Sequence, residues 1–362
     1  MQHNWAELQS RAIDSLRFPM AVAIVVFHYA LSLILGASGP IRGLCIFFQE
    51  GICRLAVPCF FLISGYLFFC GLENWDWNLW KEKIKRRGMS LLLPYLLWNI
   101  IAFLVFWAFS NLGGGDVPFA QEYLKYGGLK MFWSVEGGIP LGIKAYPVDS
   151  PLWFIRDLMF YVLITPAIFL FIRCTKGYGV LAVILLHLAV SGIVPEGFVF
   201  FLTGSFLRLS GKNLVEITWD RKWLLLSLAG LFLVATLCTV DHSSYWNRFF
   251  KILFLLSGIG ATFCLTGHAL ERSGSDANPF LVRSSFFIFA AHEILILRHI
   301  AHPLVQKALP EGVFWDCLGF FLTPTLAVAI CLGLMFLLEK VLPRTARLLT
   351  GNRKQRLIIE KK

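Results

Sequence analysis

The sequence predicts an all-α membrane protein, a polytopic transmembrane helical bundle of about ten spans with both termini in the cytoplasm. Three observations predict it. Of 362 residues, 57% are hydrophobic and only 15% are charged, with a mean hydropathy of +0.69. A soluble chain has about 25% charged residues and could not bury this much apolar surface. The apolar residues gather into segments of about 20, the length that crosses the hydrocarbon core as a helix. The basic residues collect in alternate loops. This composition excludes disorder, a collagen repeat and a small disulfide scaffold.

Ten segments read as spans: 17–36, 51–72, 90–110, 151–173, 177–194, 195–211, 223–240, 248–270, 285–304 and 313–338. The fifth and sixth are the weakest, divided only by Val194-Pro195-Glu196. An even count puts the termini on one side. That side then holds 23 of the 33 lysines and arginines, including Lys81, Lys83, Lys85, Arg86 and Arg87. The positive-inside rule makes it the cytoplasm. Charge spread over short loops in this way argues for topology and against nucleic-acid binding as the source of the net +11. The first apolar run is long enough to span and lacks a clear small-x-small cleavage site, so it reads as a spanning helix rather than a cleaved signal.

One integral-membrane domain is expected over 1–345, with a basic cytoplasmic tail over 346–362. The one long connection, 111–150, is expected outside. Its glycine clusters, aromatics and acidic residues Asp116, Glu122, Glu136 and Asp149 suit either a sugar-binding loop or an interfacial lid. The segment Trp75–Lys81 reads as an interfacial anchor. Nine cysteines without a CxxC read as small buried hydrophobes, and nothing requires Cys45 and Cys53 to pair.

Ionisable groups inside spans are costly and point to function. In the first span Asp14, Arg17 and His28 share a face. Arg17 and His28 are eleven residues apart, within roughly 20° around the helix and roughly 16 Å along it. That sets Arg17 near the cytoplasmic interface and His28 near mid-membrane. Pro19 reads as tolerable because it falls early in the helix. In the second span Ser64-Gly65 permits close helix approach, and Arg54 lies just inside the outer interface. The fourth span opens with Trp153 and carries Arg156-Asp157. Adjacent residues point to different faces, so each is expected to need its own partner around a polar cavity opening outward. In the ninth span His292 and His299, seven apart, share a face, and Glu293 follows His292. The helical zinc motif needs histidines at i and i+4, so no metal site is expected.

Taken together, these residues resemble the membrane acyltransferase-3 family, bacterial integral-membrane O-acyltransferases. The likeness rests on Asp14-x-x-Arg17-x10-His28, Phe60-Phe61-x-x-Ser64-Gly65-Tyr66, Leu152-Trp153-Phe154-x-x-Asp157-Leu158, Phe200-Phe201-Leu202-x-Gly204 and Ser285-Phe286-Phe287-Ile288-x-x-x-His292, in order along nearly the whole chain. Phe289 stands where the family usually has tyrosine, and Glu293 where proline is frequent. The resemblance implies ten spans, cytoplasmic termini and residence in the bacterial inner (plasma) membrane.

It also implies transfer of an acyl group, usually acetyl, from cytoplasmic acetyl-CoA or another acyl-CoA to a hydroxyl of an envelope glycan or lipid-linked sugar. His28 would act as general base or acyl carrier. Arg17, Asp14, Arg86 and Arg87 would meet the anionic donor. Arg54, Ser64, Trp153, Arg156, Asp157, His292 and Glu293 would form or support the acceptor side. Expected partners are acyl-CoA, the glycan acceptor and membrane lipids, without nucleic acid. A secondary transporter or glycan flippase is the alternative, but the Arg-x10-His pattern occurs once, without the matched halves that transporters often show.

Overall fold

The structure is a computed structural model that describes residues 4–112, 132–133, 146–190, 192–240 and 245–351. Most of the 111–150 connection and of the basic tail lies outside the described residues. Among those described there is no β-strand, and eight helical stretches are long and apolar enough to cross a membrane. They fall into two compact units. One lies within Met1–Trp75 and Pro166–Ser285, the other within Asp76–Thr165 and Phe286–Arg353.

In the first unit, α1 (Trp5–Leu33) runs 29 residues, roughly 43 Å at 1.5 Å per residue. Asn4 caps it by accepting the Glu7 N–H. The helix begins twelve residues before the expected span, so its first turns project beyond a hydrocarbon core about 30 Å thick. This corrects the reading of Pro19. It is the fifteenth residue of α1 rather than an early one, and its missing N–H leaves the Ser15 carbonyl without its helical donor. The helix nonetheless runs through unbroken, as proline permits where neighbouring helices support a membrane helix; α3 and α10 pack along α1.

α2 (Gly39–Ile46) leads to α3 (Ala56–Phe68) through a π-type widening at Phe47–Gly51 and a 3-10 tightening at Ile52–Leu55. Such irregular turns often mark functional sites. α7 (Thr165–Ala189) breaks at Lys176, whose φ of 53° and ψ of −140° leave the helical region. That break is where the sequence divides the fourth and fifth spans. α8 (Glu196–Leu209) is 14 residues long and α6, below, is 11. Both are shorter than a full crossing, which is why eight candidate spans stand where ten segments were read. α9 (Lys222–Cys238) and α10 (Tyr245–Ser273) pair along their lengths.

α3 and α8 pack just as extensively, and their glycines show why. A Cβ on Gly65 would collide with the Phe201 carbonyl, and one on Gly204 with the Leu62 carbonyl. The two backbones touch through reciprocal small residues. Two motifs nearly 140 positions apart are therefore the two halves of one contact.

In the second unit, α4 (Trp77–Arg87) is capped by Asp76, which accepts the Asn78 and Leu79 N–H groups. Its Trp80 indole donates to the Thr165 hydroxyl at 3.0 Å. α5 (Leu93–Asn111) follows, then α6 (Trp153–Leu163). α11 (Pro279–Ala291) straddles the boundary between the units. Beyond it the ninth span breaks, because Ile294 (ψ 81°) and Leu295 (φ 63°) leave the helical region. α12 (His302–Ala308), α13 (Val313–Val341) and α14 (Pro343–Leu349) complete the described chain. All nine cysteines, Cys45 and Cys53 included, are free thiols.

Candidate active site

The unbroken α1 keeps Asp14, Arg17 and His28 in the order and facing that their spacing dictates. Arg17 Nη1 lies 3.2 Å from Asp14 Oδ1, one turn away, and both side chains are partly exposed. His28 is half-buried, its ring edge-on to Phe27 with centroids 5.5 Å apart. The Arg54 guanidinium sits 6.0 Å from the same Phe27 ring and 3.6 Å from the carboxylate of Glu196. Glu50, one turn before Arg54, pairs with Lys251 at 2.6 Å. Sequence reasoning singled out Arg54 but missed Glu50, Glu196 and Lys251. The spacing of Glu50 and Arg54, four apart in an apolar run, was the available signal. Ser64 is half-buried on α3 beside the Gly65 contact.

At the Arg17 end of α1 is a pocket of about 80 Å³. It is lined by Asp14, Arg17, Gln9 and Ser10 from α1, Tyr66 from the end of α3 and Cys70 just beyond it, Arg208 from the end of α8, and Asn213. Arg208 and Asn213 were not among the expected site residues. Arg208 is one helical turn beyond Gly204, so the close contact that seats Gly204 on α3 also carries Arg208 to Tyr66. Its guanidinium carbon is 5.9 Å from that ring's centroid.

In the second unit Arg156 and Asp157 contradict the expectation that each needs a separate partner. Arg156 donates from Nε at 2.9 Å and from Nη2 at 2.8 Å to the same Asp157 oxygen. The Cβ atoms of adjacent residues diverge, but an arginine arm is long enough to fold back. At 3% and 4% exposure neither charge can stay apart from an opposite one cheaply. The pair is closed in rather than facing an open cavity. Arg156 also donates to the Trp133 carbonyl at 2.7 Å and lies 5.7 Å from its ring centroid. Trp153 is half-buried at the start of α6.

His292 is fully buried, and its Nδ1 is 3.0 Å from the Ile288 carbonyl. A carbonyl only accepts, so Nδ1 carries a proton and donates it to Ile288. Glu293 reaches Arg298 at 3.6 Å. The break at Ile294-Leu295 intervenes before His299, so the seven-residue spacing does not put the two histidines on one helical face. Non-helical backbone at membrane depth is tolerated only where protein buries it or a cavity adjoins it. Arg86 is exposed and paired with Glu82, and Arg87 is half-buried beside it at the end of α4. Basic residues there also suit the helix dipole.

Asp149, just before α6, is 1% exposed, and neither carboxyl oxygen has a hydrogen-bond partner among the described residues. Its own N–H donates to Asn99 Oδ1 at 3.1 Å. Burial, and secondarily the Glu293 carboxylate, hold the Asp149 carboxyl well above the usual carboxylate range. A raised folded-state value contributes stability at low pH that is lost as pH rises through that value. Asp149→Asn removes the loss. Its melting temperature relative to wild type is expected to climb between about pH 5 and pH 9. A difference that stays flat over that range in a thermal-melt series would refute the assignment.

Residues 10–340 match the family model described as an acyltransferase domain, that of the acyltransferase-3 family. The chain belongs to the acyltransferase-3 family. It is similar to the succinoglycan biosynthesis protein ExoH of Rhizobium meliloti (strain 1021), at 26% identity over 358 residues, 95% of this chain and 92% of the relative. No solved structure is a significant match. For an acyltransferase-3 protein with eight apolar helices of spanning length, the membrane is the working solvent. The Arg17-x10-His28 and Gly65 and Gly204 motifs on which the resemblance rested all lie within the matched region.

Proposed function

We propose that this protein is an O-acyltransferase of the bacterial inner membrane. It moves an acetyl group from cytoplasmic acetyl-CoA to a hydroxyl of an envelope glycan or lipid-linked sugar. The observation that carries the reading is the single rigid helix bearing Arg17 at one depth and His28 roughly 16 Å further on. The donor's phosphates are anionic and stay at the cytoplasmic surface, where Arg17 and the basic end of α4 (Arg86 and Arg87) can hold them. Its pantetheine arm extends about 15–20 Å, counted at peptide-like chain dimensions. That length delivers the thioester to the depth of His28.

There the histidine takes the proton of the acceptor hydroxyl as its oxygen attacks the thioester carbonyl. The tetrahedral intermediate collapses by breaking the C–S bond. The thiolate leaves and is protonated, giving an O-acetyl ester and free CoA. A glycan acceptor is in keeping with the similarity to a succinoglycan biosynthesis protein. Arg54, Ser64, Trp153, Arg156, Asp157, His292 and Glu293 serve that acceptor or hold the groups that do.

The test is mass spectrometry of envelope glycans from cells with and without the gene. Loss of about 42 Da per modified sugar, an acetyl replacing hydrogen, is the expected result. Unchanged masses across every glycan would point to a transporter instead. A larger acyl mass would replace acetyl-CoA by a longer donor.

A further inference from the structure

We propose that the pocket at the Arg17 end of α1 is a binding site for one phosphate group of the donor, with Arg208 as its second cation. The inference rests on the acyl-CoA reading above and adds to it a subsite and a residue.

The pocket's size suits this ligand. About 80 Å³ is room for a tetrahedral oxyanion, since a single water needs about 10–15 Å³ on the same measure. Its charge suits it too, with two guanidinium groups, Arg17 and Arg208, against one carboxylate, Asp14. Arg17 meets Asp14 through Nη1 alone, and a guanidinium has five N–H donors. Three of the other polar walls are committed to the frame. Asn213 accepts the Val215 and Glu216 N–H groups and donates to the Trp5 carbonyl at 2.9 Å. Gln9 accepts the Leu214 N–H at 2.5 Å, and the Tyr66 hydroxyl donates to the Lys212 carbonyl at 3.0 Å.

These bonds tie the chain after α8 to α1 and α3 and hold the cavity open before a ligand arrives. Preorganisation of this kind lowers the entropic cost of binding. Tyr66 lies beneath Arg208 and orients it. The arginine fork matches a phosphate bidentately, which a lysine cannot do. Asp14, bound to Arg17, keeps that guanidinium turned along α1 and makes the pocket select for an anion strong enough to compete with a carboxylate.

The pocket contains its own reporter, since the half-buried Cys70 lines it. The experiment uses full-length protein purified in maltoside detergent without added phospholipid. Alkylation of Cys70 by N-ethylmaleimide is followed by peptide mass spectrometry. Acetyl-CoA at ten times its dissociation constant is expected to slow Cys70 labelling by about tenfold, by simple occupancy. Acetyl-pantetheine, which lacks the phosphates, is expected to protect far less. Arg208→Gln should abolish most of the acetyl-CoA protection, and Arg208→Lys should retain part of it.

In transfer assays Arg208→Gln should raise the KM for acetyl-CoA about tenfold more than that for acetyl-pantetheine, the worth of one charge-assisted hydrogen bond. Equal effects on the two donors, or none, would overturn the proposal while leaving acyl transfer itself standing. Protection by phosphatidylglycerol as strong as by acetyl-CoA would make this a headgroup site instead. If acetyl-CoA protects Cys70 in an Arg208-dependent way but no acyl group is transferred, the phosphate site stands and the transferase reading falls.

Discussion

His28→Ala is expected to lower acyl transfer by about 10²–10⁴-fold, the usual contribution of a positioned general base, with little change in melting temperature. The two halves of that expectation come from different facts. The rate loss follows from the chemistry, because a sugar hydroxyl near pH 7 is a poor nucleophile until something takes its proton. On α1 the neighbouring Tyr29 is a phenol, which is no base near pH 7, and Arg17 and Asp14 are about three and four turns away. The small stability effect follows from the structure, since the ring is only half-buried and lies edge-on to Phe27. Truncation there leaves no sealed cavity of the kind that costs several kcal/mol. His28→Gln keeps volume and hydrogen bonding without the base and should be equally inactive. Normal transfer by a folded His28→Ala protein would remove His28 from the mechanism.

The second large effect is on folding. Gly204→Val should prevent stable assembly of the first unit. A fluorescent fusion is expected to shift from a single size-exclusion peak to aggregate, or to melt far below wild type. The added Cβ meets the Leu62 carbonyl, a backbone atom that cannot turn aside as a side-chain tip would. Overpacking of a core costs about 1–3 kcal/mol when side chains can give, and here the helices themselves must separate. Gly65 faces the Phe201 carbonyl in the same way, so Gly65→Ala should be damaging too. Gly230 on α9 is the control, since it is exposed and a Cβ there meets nothing within 4 Å. Gly230→Ala should be neutral or stabilise by up to about 1 kcal/mol through helix propensity. Equal tolerance at Gly204 and Gly230 would show that α3 and α8 do not pack as described.

Both predictions begin from residues that stood out in the sequence, but for different reasons. Arg17 and His28 were legible because the relation between them is local. Residues eleven apart on an unbroken helix share a face whatever surrounds them, so spacing alone placed them. Glycines 65 and 204 were legible only as parts of a resemblance, and nothing in either stretch says that it meets the other. The misreading of Arg156-Asp157 has a related cause. Helical periodicity fixes where Cβ atoms point, while the reach of an arginine arm and the cost of an isolated buried charge decide where its guanidinium ends. The reading of Pro19 failed because the helix starts in polar residues that hydropathy does not count.

The sequence by itself determined that this chain lives in a membrane, that it is helical, and that one helix carries an arginine and a histidine in line. Composition and period are sufficient for each. The tertiary structure decided that Gly65 and Gly204 are one contact and that Arg156 and Asp157 neutralise each other. It also decided that the ninth span breaks after Glu293 and that Arg208 joins Arg17 at a pocket. Each of these depends on which helices touch and how closely. That is settled by shape and by the cost of burying charge between segments far apart in the chain, and neither has a local pattern to read.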